Sequence, residues 1–291
     1  MREGRFHRYE LRTTDLQAAR AFYAEVLGSQ FWGSDVALIR LPEQAAARGA
    51  PPHWLGQIVV PGATATHEHA AHPAAAGVEA AVHQLVARGA QQLGPLQRAI
   101  DGAELAVLRD PFGAVLALRH VAASVDGAAS VDGTVRVDGE TERGTSVAWH
   151  QLHTRDREQA LAWYGSLFGW AARELMDLDL GPDSALGREP DGTPGRELGG
   201  LQTFAWDEVG PAVGGISNAA RLPHIHPQWL FCFRVHDLQA AIAQARARGG
   251  RILDPIQTAH GDLIAGGEDP QGAAFGLHQS AHTRATRAPQ R

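Results

Sequence analysis

The 291-residue sequence contains a single cysteine, Cys232, which excludes a disulfide within the chain and any zinc site built from several cysteines. The chain also lacks a strong excess of positive or negative charge, because charged residues make up 20 % of it and the formal net charge is only -6. This balance argues against nucleic acid or an anionic membrane as a partner. No stretch approaches the roughly 20 apolar residues of a membrane span, and no signal-peptide-like run opens the sequence. We therefore expect a cytoplasmic protein, monomeric or homodimeric, whose partner is a small organic molecule.

The sequence contains one stretch twice. Residues 7–28 and residues 148–170 each combine a short alternating strand, a polar cap and an amphipathic helix that a glycine ends. The length predicts two domains, and 44 % apolar residues are enough to give each a core. The two copies therefore indicate a duplicated architecture.

Domain boundaries follow from the segments around the two copies. We predict a first domain over residues 1–120, a flexible linker over 121–146, a second domain over 147–280 and a disordered tail over 281–291. The linker repeats Ser-Val-Asp-Gly without any helical pattern. Residues 61–77 interrupt the first domain as a predicted surface insertion. Its three histidines, His67, His69 and His72, are interpreted as a solvated loop rather than a metal cluster.

Two motifs carry a resemblance to a known family. They are Asp-Leu-Gln-Ala-Ala-Arg-Ala-Phe-Tyr-Ala-Glu-Val-Leu-Gly at 15–28 and Asp-Pro-Phe-Gly-Ala-Val-Leu-Ala-Leu at 110–118, and both return in the second half. The chain resembles the vicinal oxygen chelate superfamily, also called the glyoxalase, bleomycin-resistance and extradiol dioxygenase superfamily. The resemblance implies an α+β fold of tandem βαβββ modules. Two such modules would pair in each domain as a cup-shaped, curled mixed sheet with helices outside.

The family's metal positions can be checked in this sequence. The resemblance places them at Arg8, Leu55 and Ala117 in the first half and at Trp149, Leu230 and Gly276 in the second. None of these side chains supplies the imidazole or carboxylate that a divalent ion needs. We therefore expect no metal and no other cofactor at these positions. A displaced divalent metal, held by His150, His153, His224 and His226, is the alternative.

Strand alternation predicts which side chains share the cavity face of each sheet. In the second half we assign catalysis to His153, with Gln151, and substrate binding to Trp149, Cys232, Arg234 and His278. In the first half the predicted substrate-binding residues are Arg8, Glu10, Arg12, Gln57 and Arg119, a charged lining suited to a carboxylate or phosphate. The alternative in both halves is structural: Trp149 in the core, His153 paired with Arg234, and the first-half charges paired with one another.

The family implies several reaction types, so the fold does not fix the function. The favoured hypothesis is an enzyme of isomerase or lyase type that encloses a small organic molecule without the usual metal and uses His153 as acid or base. The second hypothesis is a binder without catalysis, as in antibiotic sequestration by bleomycin-resistance-like proteins. The third is the metalloenzyme with the displaced histidine site.

Overall fold

The computed structural model describes residues 4–33, 35–60, 77–99, 101–120, 147–177, 200–258 and 260–281. The predicted linker, the histidines of the surface insertion and the predicted tail after Ala281 lie outside the described residues. None of the helices in the described ranges has the length and apolar character needed to cross a membrane.

The first half forms one mixed sheet with helices beside it. Its strands are β1 (Phe6–Thr13), β2 (Val36–Arg40), β3 (His53–Val59), β4 (Gln91–Gln92), β5 (Gln97–Arg98), β6 (Glu104–Arg109) and β7 (Val115–His120). The strand order is β2-β1-β3-β7-β6-β4, and β5 also pairs with β6. The helices are α1 (Leu16–Leu27), the short α2 (Glu43–Ala47) and α3 (Val78–Ala87).

The second half forms a larger mixed sheet of the same kind. Its strands are β8 (Val147–His153), β9 (Ala171–Asp177), β10 (Gly200–Ala205), β11 (Gly214–Ser217), β12 (Gln228–Arg234), β13 (Arg251–Ile252), β14 (Ile256–Gln257), β15 (Leu263–Glu268) and β16 (Ala274–Gln279). The order is β13-β15-β16-β12-β8-β11-β10-β9, and β14 pairs with β15. The helices are α4 (Arg157–Phe168) and α5 (Leu238–Ala247).

Strand pairing confirms the repetition. The first strand of each unit pairs in parallel with the last strand of that unit, as β1 with β2, β3 with β7, β8 with β11 and β12 with β16. The first strands of the two units in a half pair antiparallel. The predicted α+β class is confirmed by these two mixed sheets and few helices. Neither sheet is strongly curled, so the predicted cup shape is not confirmed.

Local signals explain where the duplicated helices begin and end. The Asp15 carboxylate accepts hydrogen bonds from the backbone N–H groups of residues 17 and 18 at the start of α1, and Asp156 accepts one from residue 159 in α4. Gly28 and Gly169 follow the two helices with φ angles of 96° and 73°, which side chains with a Cβ rarely adopt.

The two sheets pack against each other through one face each, which we call the packed faces. An aromatic cluster fills this contact, with ring centroids 5.0 Å apart between Tyr9 and Phe231 and 4.8 Å apart between Trp54 and Phe233. Gly56 permits the close approach, because a Cβ there would lie 2.4 Å from Cζ of Phe231. The halves therefore share one core, and the opposite side of each sheet is its outer face.

Two hydrogen-bonded links join the halves reciprocally. Tyr164 on α4 donates to Asp110 in the turn before β7, at 2.7 Å, and accepts from the indole N–H of Trp229 at 3.0 Å. On the other side, Tyr23 on α1 donates to Asp269 in the turn before β16, at 3.2 Å. Each helix is therefore anchored to the Asp-Pro turn of the other half.

Replacement of Tyr164 by Phe tests the first link. We expect Tyr164→Phe to lower the free energy of unfolding by about 1–3 kcal/mol, because the Asp110 carboxylate and the Trp229 indole lose a buried partner. Tyr23→Phe is the matched change in the second link and should fall in the same range. Urea denaturation measures both. Losses of less than about 0.5 kcal/mol in both variants would contradict a stabilising role for the links.

His150, which alternation places on the helix side of β8, lies in the shared core. Its Nδ1 is 2.9 Å from the carbonyl oxygen of Val213, and its Nε2 is 2.6 Å from the hydroxyl of Tyr9. Because a carbonyl oxygen can only accept, Nδ1 carries the proton and Nε2 accepts from Tyr9. Burial lowers the pKa of His150 to about 4, so its imidazole is neutral at neutral pH.

The buried His150 predicts a loss of stability in acid. The unfolded chain protonates this imidazole near its ordinary pKa of 6.5, whereas the folded chain does so only at a pKa of about 4. The free energy of unfolding should therefore decline as pH falls through this window, by up to about 3 kcal/mol. Urea unfolding should show a flatter decline for His150→Gln than for the wild type. His224→Gln, at an exposed histidine, should keep the wild-type decline; equal slopes in both variants would refute the assignment.

Candidate functional site

A cavity of about 600 Å³ opens on the outer face of the second sheet. Its walls come from β8, β9, β15 and β16 and from the loops before β11 and β15. The apolar lining consists of Trp149, Met176, Pro211, Ala212 and Ile264, and the polar lining consists of Arg173, Glu174, Thr258, His260, Asp262 and His278. Polar groups are therefore set against an apolar wall, as is typical of small-molecule sites.

One polar pair in the cavity joins β16 to the loop before β15. His278 on β16 lies with its Nε2 3.2 Å from Oδ2 of Asp262, which precedes β15. The backbone N–H of residue 281 donates to the other carboxylate oxygen at 2.8 Å, and Asp262 donates its own backbone N–H to the hydroxyl of Thr258 at 3.1 Å. The carboxylate is thereby fixed relative to the imidazole.

The protonation of this pair follows from its contacts. The hydrogen bond from His278 lowers the pKa of Asp262, so its carboxylate is ionised at neutral pH and can only accept. In the neutral form of His278, the proton therefore sits on Nε2, which faces the carboxylate, and the lone pair sits on Nδ1. Nδ1 is buried and has no hydrogen-bond partner among the described residues, while the whole residue is 6 % exposed.

Two further charged groups in the cavity have partners of their own. The guanidinium of Arg173 donates to the backbone carbonyls of Ala172, Asp207 and Gly210 at 2.7–3.1 Å. Glu174 binds the ring of exposed His260, and this hydrogen bond raises the pKa of His260. Arg173 is therefore held by the loop before β11, and the carboxylates of Glu174 and Asp262 are each paired with a histidine of the lining.

The family's metal position is filled by other side chains. Cys232 pairs with Trp149 on one side and with Gly276 on the other, so these three residues form a row across the middle of the outer face. Cys232 is fully buried, and burial raises the pKa of its thiol to about 12. A Cβ at position 276 would lie 2.3 Å from its Sγ. The three positions that the resemblance implies, Trp149, Leu230 and Gly276, hold an indole, an aliphatic side chain and a glycine, which do not suit a divalent ion.

The predicted catalytic residues of β8 lie apart from the cavity lining. His153, at the end of the strand, is within 3.0 Å of the Ser217 hydroxyl through its Nδ1, and burial lowers its pKa to about 4. Gln151 accepts a hydrogen bond from the indole of Trp149 at 3.1 Å. Alternation identified the correct face but not the place along the strand, because the cavity lies at the Trp149 end. A catalytic role for His153 and Gln151 stays a prediction.

The remaining predicted residues of the second half are scattered. Arg234 is exposed at the end of β12, opposite His278 in register, and neither Arg234 nor Cys232 lines the cavity. His224 and His226 are exposed, whereas His150 faces the shared core. The described ranges hold no group of three His, Cys, Asp or Glu side chains that could bind a metal ion. The proposed displaced histidine cluster is therefore not assembled by these residues.

The predicted first-half residues do come together on the outer face of the first sheet. Arg8, Glu10 and Arg12 follow one another on alternate positions of β1, Gln57 lies opposite Arg8, and Arg119 is on β7. Asp101, which sequence analysis missed, joins them from the loop before β6 and pairs with Arg119. Whether they bind a substrate is addressed below as a proposal.

Sequence reasoning also missed most of the cavity's polar lining. Asp262 could have been found by extending the hairpin register, because residue 268 pairs with 274 and residue 263 with 279. That register puts Asp262 beside His278 on the same face. Arg173 and Glu174 on β9 carried no comparable signal, since β9 is joined to the next strand through residues without a recognisable pattern.

Comparison with known proteins agrees with this architecture. The family model for the glyoxalase/bleomycin resistance protein/dioxygenase superfamily matches residues 146–277, and a glyoxalase-like domain model matches residues 9–118. A curated protein of Mycobacterium tuberculosis, named "Putative glyoxylase CFP32", is 26 % identical over 96 % of both chains. Mycobacterium bovis has a protein of the same name and the same identity and coverage.

Solved structures share the fold at low sequence identity. The Mn(II)-bound glyoxalase of Novosphingobium aromaticivorans matches with a TM-score of 0.53 and 12 % identity, over 96 % of this chain and 82 % of that one. The 2,3-dioxygenase LapB of Pseudomonas sp. KL28 matches with a TM-score of 0.54 and 13 % identity, over 96 % and 94 %. With its duplicated units, its parallel pairing of first and last strands and both family-model matches, the chain belongs to the glyoxalase/bleomycin resistance protein/dioxygenase superfamily.

Proposed function

We propose that this glyoxalase-like protein is an enzyme that binds a small organic molecule in the second-sheet cavity and moves a proton on it with His278, independently of a metal at the family's position. The observation that carries the proposal is the state of His278. Its Nε2 is held by an ionised carboxylate, while its Nδ1 is buried in the cavity wall without a partner among the described residues. Leaving such a nitrogen without a hydrogen bond lowers the stability of the fold by about 1–3 kcal/mol, unless a bound molecule or water donates to it.

The arrangement fits general acid and base catalysis. Once a shift of the lining admits the substrate to Nδ1 of His278, this nitrogen would accept a proton from a carbon next to a carbonyl group, and the Asp262 carboxylate would stabilise the imidazolium that forms. Return of that proton to a neighbouring atom completes an isomerisation. Its delivery to a leaving group completes an elimination. Asp262 holds the tautomer and the orientation of the ring and does not itself take the proton.

The lining limits the substrate class. Trp149, Met176 and Ile264 offer an apolar wall for a carbon skeleton or ring. Glu174 and Asp262 add negative charge, and the guanidinium of Arg173 is already bound to carbonyls. A substrate with hydroxyl or amine donors and no net negative charge therefore fits best.

One comparison supports an enzymatic interpretation without deciding the reaction. The mycobacterial relatives that align over 96 % of the chain carry the name glyoxylase. The Mn(II)-bound glyoxalase shares only the fold. The side chains of Trp149, Leu230 and Gly276 offer no suitable metal ligands, so we assign the chemistry to the chain's own acid and base.

A non-catalytic binder is the second candidate. The Trp149 wall, packed on Leu230, Cys232 and Ile264, favours it, because a flat apolar surface can retain a ligand without any acid or base. The two candidates differ in the role of His278. In the enzyme it is required for turnover, whereas in the binder it contributes little.

His278→Gln separates turnover from binding. The glutamine amide can still donate to Asp262 but cannot take up a proton, so we expect turnover to fall by about 10²–10⁴-fold with ligand affinity within about threefold of wild type. The measurement is proton exchange by NMR in D₂O across a panel of neutral hydroxycarbonyl compounds. Unchanged proton exchange in this variant would contradict a catalytic role for His278.

Two controls accompany that measurement. His224→Gln changes an exposed histidine outside the cavity lining and should keep activity within about threefold, whereas loss of exchange only in His153→Gln would restore the sequence-based assignment. Exchange should also survive a chelator. Loss of activity in chelator with recovery on adding Mn²⁺ would overturn metal independence.

Trp149→Ala tests the apolar wall. We expect the ligand that exchanges fastest in the NMR panel to bind about tenfold more weakly, because the variant loses an aromatic contact worth roughly 1.4 kcal/mol. Isothermal titration calorimetry measures the dissociation constant. Leu175→Ala, at an exposed side chain of β9 outside the cavity lining, is the control and should bind like wild type.

A further inference from the structure

We propose a second binding site, on the outer face of the first sheet, for a small organic anion with a carboxylate or phosphate group. This inference goes beyond the proposed catalytic function, because it concerns the other half of the chain. The site is built from Arg119 and Gln57, with Arg8 and Asp101 beside them.

A continuous chain of polar contacts crosses this face. Arg119 donates to the side-chain oxygen of Gln57 at 3.2 Å and to the carboxylate of Asp101. Asp101 also lies 4.0 Å from the guanidinium of Arg8. Glu10 then connects Arg8, at 3.9 Å, with Arg12, at 3.3 Å.

The carboxylate oxygens of this network all have partners, whereas not all of its N–H donors do. Each carboxylate oxygen of Glu10 faces a guanidinium, and Asp101 accepts from Arg119 through one oxygen and from the backbone N–H of Ala103 through the other. In contrast, the amide nitrogen of Gln57, next to Arg119, is buried without a hydrogen-bond partner among the described residues. This orphaned group is a donor, so the ligand that satisfies it must bring an acceptor.

The burial of Arg119 points the same way. Arg119 is 5 % exposed, so water screens its guanidinium poorly. A bound oxyanion would place negative charge beside this guanidinium and supply the missing acceptor.

The neighbouring side chains indicate an organic rather than a purely inorganic anion. Leu55, Leu105 and Ala117 form a small apolar cluster on the same face, and Val107 and Val115 pack on it while remaining partly exposed. An anion with an apolar body could contact these valines while its charged end binds the arginines. The cavity of the second half faces away from this site, since the packed faces of both sheets lie between them.

Calorimetric titration of the full-length protein at low salt tests the proposal with benzoate, acetate and inorganic phosphate. We expect saturable binding with a dissociation constant in the millimolar range or below. Comparison of benzoate with phosphate shows which charged group is preferred. Benzoate should bind more tightly than acetate, because it adds an apolar body. Arg119→Gln should weaken binding at least about tenfold. Arg109→Gln, an exposed arginine on β6 with the same change of charge, should bind like wild type.

Asp101→Asn provides a test in the opposite direction and keeps the proposal falsifiable if Arg119→Gln does not fold. Removing one of the two competing carboxylates should tighten anion binding by about threefold or more. The proposal is overturned if no probe binds the wild type up to about 20 mM, or if Asp101→Asn binds more weakly. Equal affinities of Arg119→Gln and Arg109→Gln would also overturn it.

Discussion

The close contact between the packed faces of the two sheets is the constraint on which the structure depends. Phe231 reaches the backbone of Gly56, where a Cβ would lie 2.4 Å from its ring, and Tyr9 completes the contact by bonding to His150. Burying these rings stabilises both halves at once, while Tyr164 fixes α4 to the turn of the other half. Because the apolar faces are used between the sheets, both outer faces remain available for polar side chains.

Much of this fold could be predicted, since its signals are local. Asp15 and Gly28 set the ends of α1, and the equivalent residues of the second half do the same for α4. Strand alternation also separated His150, in the core, from Trp149, on the outer face. The curled cup implied by the resemblance was not confirmed, because the degree of curvature depends on the packing of whole sheets rather than on any local motif.

The candidate site could be predicted only in part, because alternation gives the face of a residue and not its distance along the strand. His153 and Trp149 share a face of β8, but the cavity lies at the Trp149 end. The position of Asp262 could have been predicted by extending the strand register from the Asp-Pro turn that precedes β16, so Asp262 met this condition. Glu174 did not, since its position depends on how an edge strand returns to the sheet.

The contact between Cys232 and Gly276 has a consequence for how this chain could evolve. A glutamate introduced at 276 alone would collide with the cysteine sulfur, which lies 2.3 Å from where its Cβ must go. A smaller residue at 232 alone would leave a void and add no ligand. A glutamate at 276 is thus separated from the present sequence by coupled substitutions, each unfavourable without the other. The contact between these two residues therefore makes an acidic ligand on β16 hard to reach by single mutational steps.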